Sequence, residues 1–165
     1  MKIILSGTPG TGKTTVAKLL SKEVDMQVID LNLLLSNEYV MERDNERDSL
    51  IVDIERAVSE VKMPSECIIE GHLAHFLQGD FIFVLRCHPK QLKKRLKSKE
   101  WTEKKINENV EAESLNIISD EARDMNDSVF DIDTTDLSVA EVVTTITAGI
   151  KGRLPKKQID FLEEL

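Results

Sequence analysis

The chain has 165 residues, 41% hydrophobic and 32% charged, with 22 Lys and Arg against 30 Asp and Glu for a net charge of −8. This suits one soluble domain with a core, and it disfavours a general binder of nucleic-acid backbones or anionic membrane. No apolar run nears a membrane span, the start lacks a signal-peptide pattern, and Cys67 and Cys87 are too few for a disulfide framework, so a reducing, cytoplasmic setting is expected.

A short apolar run, Ile3-Ile4-Leu5, opens the chain and ends in a Gly/Pro/Thr cluster from Gly7 to Gly12. Val16, Leu19, Leu20 and Val24 then recur at helical spacing, and a second short run, Gln27 to Asp30, follows. Run–helix–run is the pattern of a βαβ unit and a parallel sheet. Cys67-Ile68-Ile69, Phe81 to Leu85 and Val129 to Ile132 supply three more strands. Five buried strands with helices between them predict a three-layer α/β/α sandwich on a five-stranded parallel sheet, with 1–165 as a single domain. Charge is uneven along it. Nine bases stand against two acids from Arg86 to Lys105, while eleven acids stand against Arg123 alone from Ile106 to Glu141. Charge runs are often solvated helix faces, but a basic block straight after the fourth strand of an acidic chain suggests a local anion site.

The strongest signal is Gly7-Thr8-Pro9-Gly10-Thr11-Gly12-Lys13-Thr14, which satisfies G-x-x-x-x-G-K-[ST] between a predicted strand and a predicted helix. Gly7, Gly10 and Gly12 permit positive φ and leave room for phosphate, so successive N–H groups, including that of Thr11, form an anion nest at a helix start. Lys13 is placed to neutralise the β and γ phosphates, Thr14 to ligate a bridging Mg²⁺, and Thr15 to reach the α phosphate. The expected ligand is ATP with Mg²⁺ on a P-loop NTPase fold. No N-K-x-D base-reading motif is present, which favours a small kinase with an acceptor segment at about 30–53 and a lid at about 98–108. Asp30, Arg43 and Arg47 are the acceptor-side candidates, and the basic block supplies the lid, whose Arg and Lys neutralise phosphoryl charge as water is expelled.

With Glu70-Gly71-His72, Phe83-Val84-Leu85-Arg86 and Trp101-Thr102-Glu103-Lys104-Lys105-Ile106 following the phosphate loop in order, the sequence resembles the adenylate kinase isoenzyme 6 family from Met1 to about Ile150. These are nucleoside monophosphate kinases also linked to small ribosomal subunit maturation and rRNA processing. The resemblance implies reversible phosphoryl transfer from MgATP to AMP or another nucleoside monophosphate, with an ATPase side activity. It implies that Glu70, where the family usually has Asp, holds Mg²⁺ beside Thr14, directly or through water. By the same likeness His72 positions the acceptor or a water, and Arg95 stabilises the transferring phosphoryl. Lys99 stands where the family has a second lid arginine, keeping the charge without the planar two-pronged grip. Arg86 either lines the phosphate channel on the acceptor side or pairs with a nearby acid. The family's arginine after strand two is missing, since Ser36-Asn37-Glu38 occupies that region, so an AMP phosphate falls to Arg43, Arg47 or Arg56.

Cys67, His72, His75, Cys87 and His88 lie close in sequence, but Cys67 begins the third strand while Cys87 and His88 follow the fourth. Structural zinc is therefore not expected. Asp30-Leu31-Asn32 is faintly similar to the acidic pair of shikimate kinases, whose glycine triplet is missing. The scarcity of Trp and Tyr argues against a base-stacking RNA surface. The tail 153–165, with Ile159, Leu162 and Leu165, either packs on its own domain or docks a partner. Two functions follow: a nucleoside monophosphate kinase, or an ATP-switched assembly factor meeting a small-subunit ribosomal protein or pre-ribosomal RNA, to which the acidic surface suits a basic protein better.

Overall fold

The computed structural model describes residues 1–45 and 49–162. Strand β1 (Lys2–Ser6) leads through the phosphate loop into helix α1 (Lys13–Val24), and β2 (Val28–Asp30) runs directly into α2 (Leu31–Glu38). A hairpin of β3 (Val40–Asp44) and β4 (Ser49–Val52) follows, then α3 (Ile54–Glu60) and β5 (Cys67–Glu70). The chain continues through β6 (Phe81–Arg86), α4 (Pro89–Lys97), α5 (Glu103–Ser114), α6 (Ile117–Met125), β7 (Val129–Asp133) and α7 (Val139–Ile150).

Five strands form one parallel sheet in the order β2-β5-β1-β6-β7, with Ile3 opposite Ile68 and Phe81, and Leu5 opposite Glu70 and Phe83. The five predicted strands are all present, and the three-layer expectation holds. Alternation along β1 explains the layers, because successive side chains leave opposite faces of a strand. Ile3 and Leu5 pack with Val16 and Leu20 of α1 and Val143 and Ile146 of α7. Ile4, on the other face, packs with Leu31 and Leu35 of α2 and Ala122 of α6. A third cluster of Cys87, Leu92, Leu96 and Ile106 joins α4 to α5, with Trp101 against it.

The predicted acceptor segment folds as α2 and the β3–β4 hairpin, capped by Asp30, which accepts from the Leu33 N–H at 3.0 Å. The hairpin escaped the sequence reading because β3 carries Glu42, Arg43 and Asp44 and is almost wholly exposed, so burial imposes no apolar alternation on it. The predicted lid corresponds to the turn 98–102 and the start of α5. Among the described residues no helix is long and apolar enough to cross a membrane.

Candidate active site

At the carboxyl end of β1 the chain turns sharply at Gly7, whose φ is 137°, and a Cβ there would stand 2.3 Å from the Leu85 carbonyl oxygen. Only glycine fits, because both the angle and the contact exclude a side chain. Gly10, at φ 96°, lies under Leu92 and Leu96, so α4 packs directly on the loop. Thr8 and Thr11 turn inward. Thr11 Oγ1 donates to the Thr8 carbonyl at 2.9 Å, and Thr134 Oγ1 donates to the Thr11 carbonyl at 3.1 Å. Gly7 and Thr11 thus shape the loop from behind, while Gly10, Gly12, Lys13, Thr14 and Thr15 line a cavity of about 710 Å³.

Lys13 is 7% exposed, and its Nζ donates to the carbonyls of Gly7 at 2.7 Å and Thr8 at 3.1 Å. Burial lowers its pKa to about 8, although the carboxylates of Glu70 and Glu113 pull the other way. Beside it, Thr14 Oγ1 donates to Glu70 Oε1 at 2.8 Å, at the end of β5. Hydroxyl and carboxylate oxygens side by side in the cavity form the hard donor set that suits Mg²⁺, so the residues present fit that ion.

The cavity also takes in Asn32, His72, Lys99, Trp101, Lys105, Glu108 and Asn109. A second cavity, about 460 Å³ and mainly apolar, adjoins it and is lined by Asp30, Leu33, Leu35, Leu50, Val52 and Leu73, sharing Asn32 and His72 with the first. The shared wall is a hydrogen bond: His72 Nδ1 lies 2.8 Å from Asn32 Oδ1. A carbonyl oxygen only accepts, so Nδ1 carries the proton and Nε2 keeps its lone pair. Burial, the Lys13 charge and the neighbouring His75 push the His72 ring down to about 4, so it is neutral at pH 7.

The structure therefore brings together Gly10, Gly12, Lys13, Thr14, Thr15, Glu70, His72 and Lys99 in one cavity and puts Asp30 in its neighbour. It separates others. Arg95 donates to the carbonyls of Thr134 at 2.7 Å and Thr135 at 3.0 Å, bracing the loop after β7 rather than lining the cavity. Arg86 corrects the acceptor-side expectation: it is 1% exposed, and all five of its N–H groups are spent inside the fold. They reach Glu113 Oε1 and its carbonyl, Asp131, Asn116 and the Ile159 carbonyl. The second reading of Arg86, pairing with an acid, is the one the geometry supports. Arg43 sits on β3 opposite Leu50 and lines neither cavity, and Arg56 pairs with Glu60 at 3.0 Å. Arg47 lies outside the described residues. Cys67 and Cys87 do fall at opposite ends of β5 and β6.

Sequence reasoning missed Glu113 and Asn32. Glu113, 2% exposed near the end of α5, accepts from Arg86 and from the Cys87 N–H and also from the Thr8 hydroxyl, so it ties the phosphate loop to α5. Its sole signal was an acid in an acidic stretch. The tail closes over the same cluster: the Ile159 N–H donates to Asp131 Oδ2 at 2.9 Å, and Phe161 lies beneath the Arg86 guanidinium. Ile159 thus packs on its own fold, whereas Leu162 is half exposed and Leu165 lies outside the described residues.

His75 is fully buried between Ser6 and Glu121, and burial pushes its pKa down to about 4 from 6.5. Between those values the unfolded chain takes up a proton that the fold excludes, so stability is complete above pH 6.5 and falls with pH through this window. At about 1.4 kcal/mol per pH unit, the loss should approach roughly 3 kcal/mol. Urea unfolding at pH 7 and pH 4.5 should show the drop, and His75→Gln should remove its share and leave the similar contribution of His72, whose ring is also pushed down to about 4.

Residues 3–116 match the family model described as "AAA domain". A protein of Methanosarcina acetivorans named "Putative adenylate kinase" is 41% identical over 174 aligned residues, covering 99% of this chain and 93% of its own. One of the same name from Archaeoglobus fulgidus is 40% identical, covering 100% and 94%. Among solved structures, shikimate kinase from Acinetobacter baumannii in complex with shikimate shares the fold at TM-score 0.61 and 14% identity, over 92% of this chain and 93% of that one. Matched along nearly its whole length at this identity, the chain is a P-loop phosphotransferase enzyme that belongs to the family of these adenylate kinase relatives.

Proposed function

We propose that the enzyme is a nucleoside monophosphate kinase that transfers the γ phosphoryl of MgATP reversibly to AMP, giving two ADP. The observation that carries this reading is the meeting of two cavities at His72 and Asn32, one floored by the phosphate loop and the other walled by Leu33, Leu50, Val52 and Leu73. Phosphoryl transfer needs a donor and an acceptor held in line, with charge neutralised and water excluded, and needs no protein nucleophile. The donor's polyphosphate chain lies along the amides from Gly10 to Thr15, with Lys13 turning from the loop carbonyls to its β and γ phosphates. Thr14 and Glu70 hold Mg²⁺, which neutralises developing charge when bound. His72, neutral with Nε2 free to accept, orients the attacking acceptor or, in its absence, a water, which accounts for an ATPase side activity. The apolar walls take the acceptor base and Asp30 lies at its edge, while Lys99 closes from the lid. Two buried, free cysteines suit a reducing cytoplasm.

A coupled assay comparing ATP alone with ATP plus each nucleoside monophosphate tests this. AMP should raise ADP formation at least a hundredfold over hydrolysis. If monophosphates change nothing while a basic small-subunit ribosomal protein or pre-ribosomal RNA accelerates hydrolysis, the enzyme is instead an ATP-switched assembly factor.

A further inference from the structure

The turn between α4 and α5 carries the chain's single tryptophan. Trp101 is half-buried against Leu92, Leu96 and Ile106, and it lines the larger cavity with Lys99, Lys105, Lys13 and Thr14. The Lys99 ammonium lies 4.9 Å from the centre of the indole ring and the Lys105 ammonium 4.7 Å from it. An indole face attracts a cation within about 6 Å of its centroid, and tryptophan does so more strongly than tyrosine or phenylalanine. Lysine differs from arginine in lacking a planar fork: its ammonium is a point charge on a flexible stem, and its direction must come from what it leans on. Here two such stems lean on one ring, and the ring is itself fixed by the small apolar cluster between the lid helices.

We propose that Trp101 is a positioning residue, holding the Lys99 and Lys105 ammonium groups over the cavity by cation–π attraction so that they meet the polyphosphate chain of the bound nucleotide. This rests on the reading of the larger cavity as the triphosphate site. The ring acts through the lysines and does not stack on the base. Because it orders two long side chains before the ligand arrives, it lowers the entropy lost on binding.

The lone tryptophan makes the test specific, since biosynthetic incorporation of mono-, di- or trifluorinated tryptophan alters position 101 alone. Fluorine withdraws electron density from the ring face with little change of shape. Calorimetry should follow two ligands with Mg²⁺, ATP and inorganic tripolyphosphate, which has no base. The Kd for both should rise stepwise with each fluorine, about three- to tenfold over the series, with melting temperatures unchanged. A flat series with both ligands overturns the proposal, as does tight MgATP binding without tripolyphosphate binding. A rise for ATP alone assigns the ring to the base and overturns it too. Trp101→Leu should weaken both ligands at least as much as the trifluorinated ring, and binding equal to the parent contradicts the idea. Loss of all binding by the unlabelled protein removes the triphosphate reading itself.

Discussion

Lys13→Ala is expected to lower turnover roughly a hundred- to thousandfold and to weaken MgATP binding, because no other cation is buried in the phosphate loop. The side chain is nearly enclosed and its ammonium touches only loop carbonyls at 2.7 and 3.1 Å, so removing it takes charge from the cavity without opening the core. Lys13→Arg should recover little, since a guanidinium is too broad for the space against the Gly7 carbonyl. A pH signature accompanies this. The free protein's Lys13 is charged below about 8 and neutral above it, so affinity for MgATP should fall as pH rises past 8 and stay level between 6.5 and 7.5. Calorimetry on parent and variant reads both effects, and undiminished turnover in Lys13→Ala would take the ammonium out of the mechanism.

The second large effect concerns stability. Arg86→Ala should cost roughly 3–5 kcal/mol in urea unfolding, because it leaves the buried Glu113 carboxylate without its cation and Asp131 with Arg123 alone. Arg86→Lys should recover only part of it, since three ammonium hydrogens cannot serve five acceptors spread over α5, the turn at Asn116, β7 and the tail. The Thr8 hydroxyl depends on the same Glu113 carboxylate, so folded Arg86→Ala at low temperature should also bind MgATP more weakly than the parent. An unfolding curve that coincides with the parent's would show that the cluster contributes nothing net.

Arg86 also marks where sequence reasoning stops. Its position after the fourth strand was legible, but two roles fitted it equally, and the choice depended on acids that arrive from 27 and 45 residues away. Glu113 looked like one more charge in an acidic run because its partner, Thr8, lies 105 residues away. Asn32 drew notice only within a faint shikimate-kinase likeness, and its role was hidden for the same reason: it reaches His72 across 40 residues, and an amide on a helix is unremarkable until a ring faces it. Arg95, by contrast, belonged to a basic helix as expected, yet the loop after β7 offers its guanidinium two nearby carbonyls.

The sequence by itself determined the parallel sheet, the phosphate loop and the helix behind it. Those features are encoded in short windows, where apolar runs, periodicity and glycine spacing leave the backbone few alternatives. That Glu70 would stand beside Thr14 was implied by the family resemblance, and the structure puts the two 2.8 Å apart because β5 lies next to β1. Tertiary structure alone decided the acceptor cavity, the tautomer of His72, the burial of Arg86 and the two lysines on Trp101. The first three depend on which distant side chain ends up within about 3 Å, a matter settled by how helices settle on the sheet. Lys99 and Lys105, by contrast, are near Trp101 in the chain, and only the fold of the turn decides that they meet its ring.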